Sequence, residues 1–153
     1  MTVDKSLSSD GADPFDLQRF VDAQDGVYGT VLDELRNGSK RSHWIWFVFP
    51  QLRGLGRSPT AVRFGISSID EARAYLEHDV LGPRLRECAR LVALIDGRSA
   101  DEIFGWPDNL KVRSSMTLFA MATDNNAEFR AVLGKFYNGE DDPATVELLS
   151  AAR

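Results

Sequence analysis

Apolar positions along this chain recur mostly three and four residues apart, the spacing that aligns one face of a helix. Val27, Val31, Leu32 and Leu35 make one such stripe, and Leu81, Leu85, Cys88, Val92 and Ile95 make a longer one. Phe129, Val132, Leu133 and Phe136 make a third, and Leu110, Ser114, Leu118 and Met121 share a face of a helix predicted over 110–122. The polar positions punctuate these stripes. Gly38, Gly97 and Asn138-Gly139 fall where a left-handed residue ends a helix. Asp13-Pro14, Ser58-Pro59 and Asp142-Pro143 each pair an N-cap with a proline at the first helical position. Ser68 with Glu71, and Ser99 with Glu102, have the spacing of capping boxes. The pattern predicts an all-α fold of eight or nine short helices, with no internal repeat. Residues 1–12 are polar and aperiodic and read as a disordered tail, which leaves 13–153 as a single all-α domain.

The run Trp44 to Phe49 breaks the pattern, because it is apolar throughout. Its residue types favour a strand. No second run resembles a partner, however, and a lone strand leaves its backbone groups unpaired. A short helix, N-capped by Ser42 and stopped by Pro50, resolves the conflict. Being apolar on every side, it belongs at the centre of the fold.

Length and composition then narrow the class. At 153 residues, 43% hydrophobic and 27% charged, the chain has the makeup of a soluble globular protein large enough for a real core. No apolar run approaches membrane-spanning length. The first residues lack the apolar stretch of a secretory signal, so a cytoplasmic location is expected. The single cysteine, Cys88, precludes an internal disulfide and reads as a small core residue. A net charge of −5 argues against a general nucleic-acid binder. Yet Leu35 to Ile69 holds six basic residues (Arg36, Lys40, Arg41, Arg53, Arg57, Arg63) and no acidic one. Such asymmetry points either to an anionic partner or to a basic face paired with acidic helices of the same chain.

Candidate chemistry gathers in two stretches. The loop Gln51 to Ser58 combines Gly54 and Gly56, which let a backbone approach a ligand, with Arg53, Arg57 and the helix start at Ser58. Together with Lys40, Arg41 and Trp44 it suits a small anionic, phosphate-bearing or nucleotide-like ligand, because arginine grips phosphate and carboxylate through paired hydrogen bonds. It is neither a Walker A loop nor a dinucleotide fingerprint, and no cofactor is predicted. The second stretch is Asp108 to Ala120. Lys111, Ser114 and Ser115 fall on neighbouring faces there, and with Asp108 at the helix start they are candidates to line a single ligand groove between this helix and the aromatic segment. Serines inside an apolar helix want a reason, and close packing of another helix is one. His43 and Asp108 are the candidate proton carriers. His78, beside Asp79, reads as a charge near a helix C-terminus. His43, His78 and Cys88 match no metal-ligand spacing, so no metal is predicted. Asp70, Glu71, Asp101 and Glu102 read as first-turn helix charges. Three readings stay open: a binding module for a small anion, an enzyme acting on a ribosyl or phosphoryl group of such a ligand, and an interaction module using its basic face. Oligomeric state is not legible.

Three strings, SHWIWFVFPQLRGLGRSPTA, EARAYLEHDVLGPRL and NLKVRSSMTLFA, resemble hallmarks of a bacterial domain-of-unknown-function family, number 1810. The resemblance spans nearly the whole chain from Asp13 to Leu149. It implies an all-α, single-domain fold and brings no activity and no catalytic residues. Members of that family are sometimes labelled calpastatin. Calpastatin-type inhibitors are disordered, and a chain with helix caps, periodic stripes and a tryptophan-rich core does not fit that label.

Overall fold

The computed structural model describes residues 13–151; the predicted tail over 1–12 lies outside them. Ten helices follow one another: α1 (Gln18–Asp25), α2 (Tyr28–Arg36), α3 (Ile45–Val48), α4 (Pro59–Arg63), α5 (Ile69–Glu77), α6 (Leu81–Ala93), α7 (Ala100–Phe104), α8 (Asp108–Ala122), α9 (Ala127–Phe136) and α10 (Pro143–Ala151). No strand occurs among the described residues, only a parallel bridge between Leu52 and Ile66. The fold is all-α.

Most predicted boundaries coincide with their chemical cause. Gly38 and Gly97 sit at φ +67° and +76°, and Asn138 and Gly139 at +58° and +73°. Ser99 and Glu102 form the complete reciprocal box: the Ser99 hydroxyl accepts from Glu102 N, and the Glu102 carboxylate accepts from Ser99 N. At α5 only half of the box forms. Ser68 Oγ accepts from Glu71 N, but the Glu71 carboxylate turns to Ser67 N and Oγ. Its other oxygen meets Arg19 Nη2 at 2.9 Å, a pair that is nearly sealed from water. The first helix starts later than Pro14. Asp13 holds Leu17 N and Gln18 N with its carboxylate instead, and Asp16 takes a left-handed turn at φ +53°.

The aromatic run is helical, as expected, but for one turn only. Trp44, not Ser42, stands at its N-cap, and Val48 N and Phe49 N close on the carbonyls of Trp44 and Ile45. Trp44, Ile45, Val48 and Phe49 are buried, while Trp46 and Phe47 are partly exposed. The helix around which the others assemble is α8. It packs against α3, α5, α7, α9 and α10, and ten of its fifteen residues are buried. Its buried positions include the polar Asn109, Ser114, Ser115 and Thr117 beside the apolar ones, so neighbours cover it on nearly every side. Rings tie the layers together: Phe64 to Phe20, Phe20 to Tyr75, Tyr75 to Phe119 and Phe119 to Phe129 lie 5.7, 5.1, 5.2 and 6.1 Å apart between centroids. One elbow in this frame admits only glycine. A Cβ on Gly82, where α5 turns into α6, would lie 2.1 Å from the Leu76 carbonyl oxygen.

Candidate functional site

The segment from Gln51 to Ile66 leaves the core and returns to it. Ile66 N donates to Gln51 O at 2.9 Å, and Arg53 N donates to Ile66 O at 2.7 Å, so the excursion is closed at its base. Gly65 permits that closure, because a Cβ there would meet Arg53 Cβ at 2.8 Å and its Cα at 2.9 Å. Within the excursion, Gly54 takes φ +106°. Gly56 packs so closely on Ala61 that a Cβ would come within 2.7 Å of it. Ser58 caps α4 by accepting from Ala61 N. The result is a pinned loop presenting Arg53, Arg57 and Arg63 to solvent. Among the described residues none of these three has a carboxylate partner. Arg53 Nη2 donates to Gly65 O at 3.1 Å, and the Arg63 guanidinium lies over the Phe64 ring at 5.1 Å.

Arg53 stands in the wall between two hollows. On one side, a cavity of about 440 Å³ is bounded by the excursion, the start of α5, the end of α8 and α10. Leu52, Ile69, Met121, Leu148 and Leu149 line its apolar part, and Arg53, Arg73, Asp70 and the serines 67 and 68 its polar part. On the other side lies a more open groove of about 560 Å³ with Arg19, Arg63, Phe15 and Val62. In the latter, Arg19 is already saturated by Glu71 and by the carbonyls of Phe15, Asp16, Arg63 and Gly65.

The other sequence candidates lie elsewhere. Lys40 Nζ is buried between Asp108 Oδ2 at 2.7 Å and Ser42 O at 2.6 Å, 5.2 Å from the Trp44 ring. Lys111 Nζ approaches Asp108 Oδ1 at 3.6 Å and the Trp46 ring at 4.9 Å. Lys40, Trp44, Asp108 and Lys111 are therefore brought together, as a clamp in which two lysines share one carboxylate between the α2–α3 loop and the start of α8. Trp44 faces inward, and its indole N–H donates to Glu34 Oε1 at 2.9 Å. The same oxygen accepts from Arg41 N and Ser42 N, and Oε2 accepts from Ser42 Oγ. Burial alone would raise the Glu34 carboxyl. The Ser42 hydroxyl, the N–H groups of Arg41 and Ser42 and the Trp44 indole outweigh it and hold the group at about 2. The Arg41 side chain and His43 are exposed.

Ser114 belongs to neither cluster. Its hydroxyl bridges Leu110 O and Asp142 Oδ2, each at 3.1 Å, and so docks the start of α10 on α8. That is the packing reason a serine in this helix asked for. Ser115 is fully buried, and its hydroxyl has no partner among the described residues. His78 stands at the C-terminal end of α5, where the sequence places it. Its Nδ1 also accepts from Val80 N at 3.0 Å and Leu81 N at 3.2 Å, capping the start of α6. The expected single groove is thus divided: Gln51, Arg53, Gly54, Gly56 and Ser58 stay together on the excursion, apart from the Lys40 clamp. Arg73 and Leu148, which join Arg53 at the cavity, carried no signal in sequence. They come from α5 and α10, and only the fold makes them neighbours.

A helical frame of this kind, with a basic loop pinned to its side and no strand or metal cluster among the described residues, defines a class by architecture alone. The chain belongs to the family described as protein of unknown function DUF1810, whose model matches residues 14–149. It is similar to the conserved hypothetical protein Rv1873 from Mycobacterium tuberculosis, known from a crystal structure. The two are 65% identical, the match covers 90% of this chain and 99% of that one, and the TM-score is 0.89. No functionally curated protein matches. No helix among the described residues is long and apolar enough to cross a membrane.

Proposed function

We propose that this chain is a binding module for a small anion, held at Arg53. One observation carries the reading: an arginine without a counter-ion among the described residues stands on a loop closed by two backbone hydrogen bonds, at the edge of a cavity of about 440 Å³. The hydrogen bond from Arg53 Nη2 to Gly65 O already orients the guanidinium, which lowers the side-chain freedom lost when it grips a carboxylate or phosphate. The basic window of the sequence supports the reading only in part. Lys40 is already committed to Asp108, whereas Arg53, Arg57 and Arg63 are not paired with carboxylates among the described residues. An enzymatic role gains no support from Asp108, which two lysines neutralise.

A thermal-shift screen over carboxylates, inorganic phosphate, sugar phosphates and nucleotides tests the proposal. A ligand at about 100 times its Kd adds roughly 2.7 kcal/mol to stability. At least one anion should raise Tm in the wild type and not in Arg53→Ala. A screen without hits, or hits indifferent to Arg53, would sink the reading.

The basic-face interaction module draws on a different observation. Trp106 and Leu110, four positions apart in the chain around the start of α8, where Lys111 follows, are 78% and 49% exposed. Exposed aromatic anchors next to positive charge suit an acidic protein partner. That reading would move binding to Trp106→Ala and leave Arg53→Ala unaffected.

A further inference from the structure

The cavity beside Arg53 has two unlike ends. Its floor is aliphatic, made by Leu52, Ile69, Met121, Leu148 and Leu149, and no aromatic ring among the described residues lines it. A nucleobase would find nothing there to stack on. At its polar end the charges are nearly balanced. Arg73 Nη1 has Asp70 Oδ1 at 3.6 Å, and Arg73 Nε donates to Ala122 O at 3.3 Å. Arg53 is the one charge at this end without a counter-ion among the described residues, and only its Nη2 has a partner, the Gly65 carbonyl. A single unmatched positive charge at the rim of an aliphatic hollow suits a monoanion with an aliphatic tail better than a phosphate dianion on a polar sugar.

Resting on the reading of Arg53 as an anion site, we propose that the ligand class is aliphatic monocarboxylates. The carboxylate takes paired N–H bonds from the Arg53 guanidinium, the geometry that planar fork favours. The tail lies across Met121, Leu148 and Leu149. A volume of about 440 Å³ falls within the range of small-molecule sites, which are mostly apolar with few, well-placed polar groups. Each methylene drawn from water into such a hollow tightens binding by roughly two- to fourfold. Affinity therefore climbs with chain length until the floor is covered.

The test titrates acetate, butanoate, hexanoate and octanoate, with inorganic phosphate and adenosine monophosphate alongside, into the full chain by calorimetry. The methionine methyl carbons report the location, since Met121 lines the cavity and Met116 is sealed in the core. Octanoate should bind at least roughly fifty-fold more tightly than acetate, shift Met121 and leave Met116 in place. Arg53→Ala should weaken it tenfold or more, and Arg53→Lys, which keeps the charge but not the fork, by less. Leu148→Trp, which fills the hollow, should abolish the dependence on tail length while sparing acetate; it carries the test if Arg53→Ala does not fold. Arg53-dependent binding of phosphate or acetate with no gain from a tail overturns the aliphatic ligand and leaves the anion site standing. Octanoate binding that Arg53→Ala does not weaken overturns the carboxylate's role, and with it this proposal. No binding of any anion removes both readings.

Discussion

Glu34 fixes the path of the chain between α2 and α3 by accepting four hydrogen bonds from Arg41, Ser42 and Trp44 on two buried oxygens. Its carboxyl is lowered from 4.5 to about 2, which is linked to about 3 kcal/mol of folding stability. Because the folded value lies below the unfolded one, that stabilisation is complete above about pH 4.5 and fades as pH falls towards 2. Glu34→Gln should therefore cost about 3 kcal/mol at pH 7 and almost nothing at pH 2 relative to wild type. Urea unfolding at the two pH values measures the gap, and an equal gap at both would assign the stability to something other than the carboxylate. Nothing in the sequence marked Glu34. It sits on the stripe-bearing helix as an ordinary polar residue, and its partners lie across a loop whose course only folding sets. His43, by contrast, drew attention by residue type and lies exposed on the surface.

Among the helices, α10 shows how one side chain can seat a whole element. Asp142 Oδ2 caps it by accepting from Thr145 N and Thr145 Oγ1, and the same oxygen takes the Ser114 hydroxyl of α8. Asp142 N in turn donates to Thr117 Oγ1 of α8. Cap and docking contact are the same carboxylate, so Asp142→Ala should cost about 1–3 kcal/mol, more than an ordinary cap. The loss should be local: amide hydrogens of α10 exchange faster, while those of α8, covered on several sides, keep their protection. Equal acceleration across both helices would refute this division. The Asp-Pro start of α10 was plain in the sequence, as was the Ser99 box of α7. The second role of Asp142 was not, because Ser114 and Thr117 approach it from 25 or more positions away. At α5 the sequence rule met a stronger claim: Glu71 left its capping partner for a buried ion pair with Arg19. Removing one member of such a pair strands the other as an uncompensated buried charge.

Across the whole molecule, the positive charge that sequence concentrates between Leu35 and Ile69 is dispersed by folding into a buried clamp at Lys40, an exposed pair of Arg36 with Asp33, an exposed Arg41 and the solvent-facing arginines of the excursion. Of these, Arg53 lines the cavity. The core itself is closed. Cys88 is sealed at the α2–α6 contact, and burial pushes its thiol up to about 12. A thiol reagent at pH 8 should therefore label the native chain slowly, at a rate set by global opening, and at once in denaturant. Fast labelling of the native state would mean that α2 and α6 part more easily than their packing implies.

Amino-acid order alone determined the helical class, the helix ends at Gly38, Gly97 and Asn138-Gly139, the cap at Ser99 and the placement of Cys88 in the core. Each depends on residues within a few positions of one another, through 3.6-residue periodicity, cap chemistry and the backbone freedom of glycine. Tertiary structure decided that α8 rather than the tryptophan run is surrounded, that Lys40 meets Asp108, and that Arg53 and Arg73 share a cavity with Leu148. These pairings join residues far apart in the chain, and they follow from how five of the other described helices pack around one buried helix, which no local spacing encodes.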